Sequence, residues 1–235
     1  MAGNWLRAAG WWTADYSYAV YWQVRAFFTK SDASAFADGA LAPVLVIPGI
    51  YESWKFMLPL VAGVHRLGHP VHVVRPLRLN LRPVPESAEI VRAYLDLNEL
   101  EDVIIVAHSK GGLIGKQVMI HAEGKPRVDK MLAVATPFRG SVYSLFMLTP
   151  SLRSFSPRDA TIQALALEED INSRVVSVYG RFDPHIPATS ELVGAKNVEL
   201  DTGGHFRILS KSRVLDEFTT MVQDRAGHAG PPDEG

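Results

Sequence analysis

The sequence predicts an α/β fold, with a minimal doubly wound and mostly parallel sheet of about six strands and helices on both faces. From Leu41 onward, short apolar runs alternate with stretches of helical periodicity, which is the pattern of a parallel sheet covered on both sides. The chain has 235 residues, 47% of them hydrophobic and 21% charged, as in an ordinary globular protein. We therefore expect a single domain to account for most of the chain.

The first 28 residues contain nine of the chain's 22 aromatic residues. Apolar side chains recur there every three or four residues, which predicts a stripe along one or two helices, followed by a linker over residues 31–40. Two interpretations of this N-terminal extension, residues 1–40, stay open. Its helix either packs on the domain, or contacts a membrane surface or a partner through residues 1–30. The stripe consists of Trp5, Ala9, Trp12, Tyr16, Val20, Val24 and Phe27.

The same segment has no uninterrupted apolar run long enough to span a bilayer, because charged residues divide it into short pieces. It also lacks the ordered parts of a signal peptide, which are a basic start, an aliphatic run and a cleavage site of small residues. We therefore expect a cytoplasmic protein, with membrane association through residues 1–30 as the alternative.

The remaining elements follow from the alternation of apolar runs and helical periodicity. Strands are expected at 44–47, 71–74, 103–107, 130–135, 174–179 and 197–200. Helices are expected at 53–67, 86–99, 110–123 and 205–223. Together they define one domain over residues 41–224, and the Gly- and Pro-containing residues 225–235 are expected to be a flexible tail.

Composition excludes several classes of protein. With 24 basic and 25 acidic side chains the net charge is −1, so the excess of cations that nucleic-acid binding needs is missing. The absence of cysteine excludes disulfides, thiolate zinc sites and a cysteine nucleophile. Neither a phosphate-binding loop nor a dinucleotide fingerprint occurs, and no histidine spacing fits a metal site, so we expect no cofactor and no metal.

A serine lies between a predicted strand and a predicted helix, in the run Val103-Ile-Ile-Val-Ala-His-Ser109-Lys-Gly-Gly-Leu. This is the form of a nucleophile elbow, a sharp turn that needs small residues two positions before and two positions after the serine. Ala107 and Gly111 occupy those positions, with alanine where the motif usually has glycine. The pattern predicts that Ser109 is a nucleophile.

A serine hydroxyl reacts only when a base removes its proton, and that base is usually a histidine held by a carboxylate. Asp183 and His205 each follow a predicted strand, at the sheet edge where Ser109 also lies. They are the predicted acid and base. Asp201 is only four residues from His205, too close to reach behind its ring without a tight bend. The other histidines near these motifs are weaker candidates for the base, because His185 is two residues from the acid and His108 points away from the nucleophile at the elbow.

The oxyanion that forms during acyl transfer needs backbone N–H groups that are already in place. We expect the N–H of Lys110, directly after the nucleophile, and the N–H of Ile50, in the loop after the first strand. Pro48 cannot donate, and Gly49 lets the chain turn there. An ordinary Pro-Gly turn is the alternative.

These motifs resemble those of the α/β-hydrolase superfamily, and within it the small bacterial lipases and esterases. The resemblance covers about residues 41–224. It implies that Ser109, Asp183 and His205 are nucleophile, acid and base. The motifs are Ala-His-Ser109-Lys-Gly-Gly, Ala135-Thr-Pro-Phe-Arg-Gly140-Ser, Asp183 with Ile186-Pro187, and Gly204-His205.

The resemblance implies a serine hydrolase that cleaves carboxylic esters with hydrophobic acyl chains, acting on a small-molecule or lipid ester. Acyl transfer to another alcohol, amide hydrolysis, and a non-catalytic protein that binds a membrane or partner are the alternatives. Two departures from the family pattern stand out: Pro48-Gly49 replaces the usual His-Gly, and Lys110 adds a positive charge near the site.

Substrate contacts are expected from side chains next to the motifs. The apolar segment 141–152 is either a short lid or acyl-chain wall, or a helix packed on the sheet. The oligomeric state is left open. The predicted substrate-binding residues are Tyr51, His108, Phe138, Phe146 and His185.

Overall fold

In a computed structural model, which describes residues 2–120, 126–146 and 149–226, six strands form one parallel sheet in the order β2-β1-β3-β4-β5-β6. All six predicted strands are confirmed, with ends that differ by a few residues. The strands are β1 (Val44–Ile47), β2 (Val71–Val73), β3 (Val103–His108), β4 (Val128–Val134), β5 (Val175–Phe182) and β6 (Lys196–Gly203).

The central strands form because their side chains are buried on both faces of the sheet. In β1, Val44 and Val46 point into one hydrophobic core, while Leu45 and Ile47 point into a second core on the opposite face. The residues of β3 alternate between the same two cores. This double burial explains why the strands read as continuous apolar runs rather than as alternating patterns.

Seven α-helices surround the sheet within the described residues. Helices α3, α4 and α6 pack on one face, and α1, α2 and α7 pack on the other, so the sheet is doubly wound as predicted. The helices are α1 (Ala2–Phe28), α2 (Leu58–Arg66), α3 (Val84–Leu97), α4 (Lys110–Ile120), α5 (Pro150–Arg153), α6 (Ala160–Leu167) and α7 (Ser212–Ala226).

Two helix predictions differ from the structure, and helix α6 corresponds to no prediction. The last helix begins at Ser212 rather than at 205, because a loop and a short 3-10 helix, Arg207–Ser210, come first. The helix predicted at 53–67 starts as a 3-10 turn, Trp54–Met57, before α2. Helix α6 was not predicted, although Asp159 provides its N-terminal cap by accepting hydrogen bonds from two backbone N–H groups.

The N-terminal segment is a single helix that packs on the domain, but the predicted stripe is not its packing face. The contacts come from Trp11, Asp15, Tyr18 and Trp22, spaced three or four residues apart on a different side of the helix. Most of the predicted stripe faces outward, and its Phe27 is 84% exposed. Periodicity alone located a stripe, but a buried acidic residue marks the true contact face. The side chain of Trp5 and all of residues 227–235 lie outside the described part of the chain.

Candidate active site

Ser109 lies on the turn between β3 and α4 in the left-handed backbone conformation, with φ of 50°. Such a conformation strains a residue that has a side chain, and it is typical of functional turns. The turn packs closely on β1: a Cβ at Gly111 would come within 2.1 Å of the Ile47 carbonyl oxygen. The requirement for a small residue at Gly111 therefore comes from backbone contact.

The structure brings Ser109, His205 and Asp183 into one hydrogen-bonded chain. The Ser109 Oγ lies 2.9 Å from Nε2 of His205, and Nδ1 of His205 lies 2.8 Å from Oδ2 of Asp183. The other carboxylate oxygen of Asp183 accepts hydrogen bonds from the backbone N–H of His185 and Ile186. Because Asp183 accepts from Nδ1, the free Nε2 faces the serine hydroxyl, which is the arrangement that proton removal requires.

The electrostatics favour a basic imidazole beside an ionised carboxylate. Burial lowers the pKa of His205, but the negative charge and hydrogen bond of Asp183 raise it, and the net shift is upward. For Asp183, burial raises the pKa while His205 lowers it, and the net shift is downward. The carboxylate thus stays charged and can stabilise an imidazolium.

The alternative candidates for the acid and the base, Asp201 and His185, form other contacts. Asp201 lies at the surface, where it forms ion pairs with Arg7 at 3.0 Å and Arg181 at 3.2 Å. His185 lines the active-site cavity, and its Nε2 lies 3.0 Å from the hydroxyl of Tyr16 on α1. Burial, followed by the charge of His205, lowers the pKa of His185 to about 4, so it is neutral near neutral pH.

His108 does not reach the cavity, contrary to its assignment to substrate binding. Its ring is fully buried, with Nε2 donating to the backbone carbonyl of His205 at 3.0 Å. Its Nδ1 lies 2.9 Å from the Glu52 carboxylate, which also accepts a hydrogen bond from the Gly49 N–H. A buried Glu52–His108 pair therefore links the loop after β1 to the backbone of His205. Nothing in the local sequence pattern indicates this pair, because its members are 56 residues apart.

The two predicted oxyanion donors lie beside the nucleophile. Ile50 lines the same cavity as Ser109, and Lys110 is the first residue of α4. Among the residues that the structure describes, no hydrogen-bond acceptor is found for either backbone N–H, and their role as oxyanion donors stays a prediction.

The charge of Lys110 points away from the cavity, which corrects the expectation of a positive charge at the site. Its buried ammonium donates to the backbone carbonyls of Asn80 and Arg82, and burial lowers its pKa to about 8. The side chain of Asn80 in turn donates to the Pro48 carbonyl at 2.7 Å. Lys110 therefore supports the loop that carries Ile50, a role that the sequence pattern does not reveal.

A cavity of about 680 Å³ opens onto Ser109 and His205. Helix α1 forms one wall, and residues from the segment after β4 form another. Of the predicted substrate contacts, Tyr51 and His185 line the cavity, whereas Phe138 is buried in the core and does not. The side chain of Phe146 lies outside the described part of the structure. The wall residues are Trp12, Tyr16, Ala19, Val20 and Gln23 of α1, with Pro137, Ser141, Tyr143, Ser144, Leu152 and Phe155 opposite.

The segment 141–152 contributes Tyr143 and Leu152 to this cavity. Tyr143 lies in a 3-10 helix (Val142–Phe146) and Leu152 lies in the short helix α5.

Within the described ranges, no group of three His, Asp or Glu side chains is arranged to hold a metal ion. None of the described helices combines the length and apolar character that would cross a membrane.

Neither a known family model nor a curated protein matches this sequence. Solved structures do match. A lipase from Bacillus licheniformis in its mature form is 15% identical, covers 79% of this chain and 92% of its own, and has a TM-score of 0.61. A bromoperoxidase from Bacillus anthracis is 14% identical over 80% of this chain and 94% of its own, with a TM-score of 0.59.

The mouse alpha/beta hydrolase domain-containing protein 10 is 14% identical, covers 80% of this chain and 91% of its own, and has a TM-score of 0.54. At such low identity, shared architecture is all that these matches carry to this chain. The six-stranded parallel sheet with helices on both faces agrees with that architecture. The chain therefore has the α/β-hydrolase fold, which confirms the sequence-based resemblance at the level of the fold.

Proposed function

We propose that the protein is a serine hydrolase that cleaves carboxylic esters with hydrophobic acyl chains through an acyl-enzyme. One observation carries the proposal: the hydrogen-bonded chain of Ser109, His205 and Asp183 ends at a cavity whose walls are mainly apolar. Such a cavity suits a ligand with few polar groups and one reacting centre.

In this mechanism His205 takes the proton of Ser109 as its Oγ attacks the ester carbonyl carbon. The carbonyl oxygen becomes an oxyanion, held by the backbone N–H groups of Ile50 and Lys110. The carbon–oxygen bond to the alcohol breaks as His205 returns the proton to the leaving oxygen, which leaves an acyl group on Ser109. Water, activated by the same imidazole, then releases the acid. Throughout, Asp183 orients the ring of His205 and stabilises its charged form.

We expect a fluorophosphonate to label Ser109 and a series of p-nitrophenyl esters to be hydrolysed with a preference for longer acyl chains. Each added CH2 that enters the cavity should raise kcat/KM roughly fourfold until the cavity is filled, because each buried CH2 is worth ~0.8 kcal/mol. Val20→Trp should shift the preference to shorter chains, because Val20 lines the cavity and a larger side chain there leaves less room for the acyl chain. The fold should accept the change, because the Val20 side chain is largely exposed.

The matched control is Val24→Trp, one turn further along the same face of α1 and outside the residues that line the cavity. Wild-type protein that neither reacts with the fluorophosphonate nor hydrolyses any ester would refute the proposed function. Faster turnover with an added alcohol acceptor, or with amides, would assign the same centre to acyl transfer or amide hydrolysis instead.

We also infer that the exposed apolar face of α1 contacts a lipid surface from which the ester enters. This outer face is continuous with the cavity, because Trp12 and Val20 are both exposed and cavity-lining. Its far end, with two adjacent phenylalanines, lies beside the cations Arg25 and Lys30. Aromatic residues next to basic ones are typical of helices that lie on an anionic membrane surface. The outer face comprises Trp12, Val20, Tyr21, Val24, Phe27 and Phe28.

Sedimentation with vesicles of phosphatidylcholine and phosphatidylglycerol tests this contact. We expect wild-type protein to bind, and a variant with Phe27→Ser and Phe28→Ser to bind at least tenfold more weakly, since a buried Phe side chain is worth about 1.5–3 kcal/mol. Leu97→Ser is the control, because Leu97 is equally exposed, at 85%, on α3 across the sheet. Equal binding of wild type and the double variant would contradict the inference. A dimer that the same two substitutions dissociate would also contradict it, because the outer face would then bind a second copy of the chain.

A further inference from the structure

We propose that Asp15 of the N-terminal helix is a positioning residue of the active centre, which holds the backbone of His205 in the place where its ring reaches both Ser109 and Asp183. The inference rests on the proposed function and goes beyond it, since it assigns a role in the reaction to a segment outside the part of the chain that carries the hydrolase motifs. Asp15 touches neither the substrate cavity nor the reacting atoms, so it acts through His205.

The contacts of Asp15 converge on the residues that follow β6. Its Oδ2 accepts the backbone N–H of His205 at 2.8 Å, and its Oδ1 accepts those of Phe206 at 2.8 Å and Arg207 at 2.7 Å. The carboxylate is fully buried. Three consecutive N–H groups that would otherwise be unpaired in the interior are thus satisfied by one side chain from a position 190 residues earlier in the chain.

The backbone of His205 is held from two directions. Its N–H donates to Asp15, and its carbonyl accepts from Nε2 of the buried His108, which is itself paired with Glu52. These two contacts fix the backbone from which the ring projects. The ring then reaches Ser109 at 2.9 Å and Asp183 at 2.8 Å. This is the arrangement expected of a base whose position has to be fixed before substrate binds.

The two glycines before His205 fit this role. A Cβ at Gly203 would lie 2.4 Å from the indole ring of Trp11, and a Cβ at Gly204 would lie 2.3 Å from Oδ1 of Asp15. Gly204 also has φ of +114°, which other residues rarely adopt. Because the helix lies directly on this backbone, both positions exclude any side chain.

Helix α1 also contacts the other two loops of the centre. The hydroxyl of Tyr16, next to Asp15, is hydrogen-bonded to His185 in the loop that carries the acid. Further along the same helix, the side-chain amide of Gln23 donates to the Tyr51 carbonyl in the oxyanion loop at 2.6 Å. One helix thus touches the loops of the base, the acid and the oxyanion donors.

The charge of Asp15 also acts on the base. Burial lowers the pKa of His205, whereas the carboxylates of Asp183, Glu52 and Asp15 raise it. The rings of His108 and His185 face the same imidazole, with centroids 5.1 Å and 4.8 Å away. Removing the charge of Asp15 should therefore move the pKa of His205 downward and leave the carboxylate of Asp183 in place.

The test compares wild type with Asp15→Asn. Titration with a fluorophosphonate counts the reactive centres, so that kcat is expressed per centre rather than per mole of protein. We expect Asp15→Asn to lower kcat per centre by about 10- to 100-fold with a smaller change in KM, because Asp15 contacts the backbone of the base and does not itself line the cavity. The acid side of the pH profile of kcat/KM, called the acid limb below, should move to lower pH. The pKa of His205, read from its imidazole resonances by NMR, should fall as well.

Asp201→Asn is the matched control, since Asp201 is an exposed carboxylate that pairs with Arg7 of the same helix. It should leave both kcat per centre and the pKa of His205 unchanged. A purely structural role for Asp15 would lower the number of centres but not kcat per centre. Wild-type values of kcat per centre and of the His205 pKa in Asp15→Asn would overturn the proposal.

Asp15→Glu keeps the charge and lengthens the side chain by one CH2. If Asp15→Asn does not fold, Asp15→Glu tests the positioning role in its place. We expect the acid limb of its pH profile at the wild-type pH and kcat per centre lowered at least fivefold. Wild-type kcat in Asp15→Glu would then refute the positioning role. A wild-type protein that fails to react with the fluorophosphonate would refute the proposed function instead, so the two failures are distinguishable.

Discussion

Ser109→Ala is expected to reduce kcat for ester hydrolysis by about 10⁴- to 10⁶-fold, because no covalent acyl-enzyme can form without the hydroxyl. The residual rate would come from the two backbone donors at Ile50 and Lys110 and from binding in the cavity. The substitution removes one oxygen and keeps a side chain at φ of 50°, so the turn remains as strained as before. Stability should therefore change little, and the variant should still bind an uncleaved ester analogue.

The measurement is kcat for the ester that wild type prefers, together with fluorophosphonate labelling and the thermal unfolding midpoint. Ser190→Ala is the control, since Ser190 is also a buried serine and its hydroxyl has no hydrogen-bond partner among the described residues. Turnover in Ser109→Ala within tenfold of wild type, with the fold intact, would mean that another group attacks the ester.

The fold could be predicted from the sequence because the strands of a parallel sheet are buried on both faces. The runs Val44–Ile47 and Val103–His108 have no polar alternation, which leaves few other structures for segments so short. The strand ends then bring Ser109, Asp183 and His205 to one edge. Both conclusions depend on local patterns and on one general property of parallel sheets.

The contact face of α1 could not be predicted in this way. Periodicity finds apolar stripes, and an acidic residue such as Asp15 counts against the stripe that contains it. Its burial is stable only because the backbone N–H groups of His205, Phe206 and Arg207 meet it, and these lie at the other end of the chain. Sequence spacing contains no information about such a distant partner.

The same limit explains the other differences. Lys110 can be buried because the carbonyls of Asn80 and Arg82 accept hydrogen bonds from its ammonium, and His108 can be buried because its Nδ1 is hydrogen-bonded to Glu52. Each of these polar side chains would be assigned to a surface or a cavity from its type alone. Their partners come from non-adjacent segments, so only the folded chain reveals that these side chains hold loops in place and do not contact the cavity.

The acid side of the pH profile should lie above the ordinary pKa of a histidine. Burial lowers the pKa of His205, but Asp183 raises it by more, and only the neutral imidazole can take the proton of Ser109. As pH rises through that pKa, His205 loses its proton and kcat/KM increases. Asp183→Asn should remove the largest upward contribution, shift the limb to lower pH and reduce kcat by about 10⁴-fold, since an amide no longer fixes the reactive tautomer.

The comparison that decides the identity of the acid is Asp183→Asn against Asp201→Asn, measured as pH profiles of kcat/KM. Asp183 accepts a hydrogen bond from Nδ1 of His205, whereas Asp201 is held at the surface by two arginines. Surface ion pairs contribute little and are screened by salt, so Asp201→Asn should retain the wild-type profile at moderate ionic strength. If instead Asp201→Asn lost activity and Asp183→Asn kept it, the acid would have to reach His205 through a rearranged β6 edge, and the hydrogen-bonded chain would not be the catalytic one.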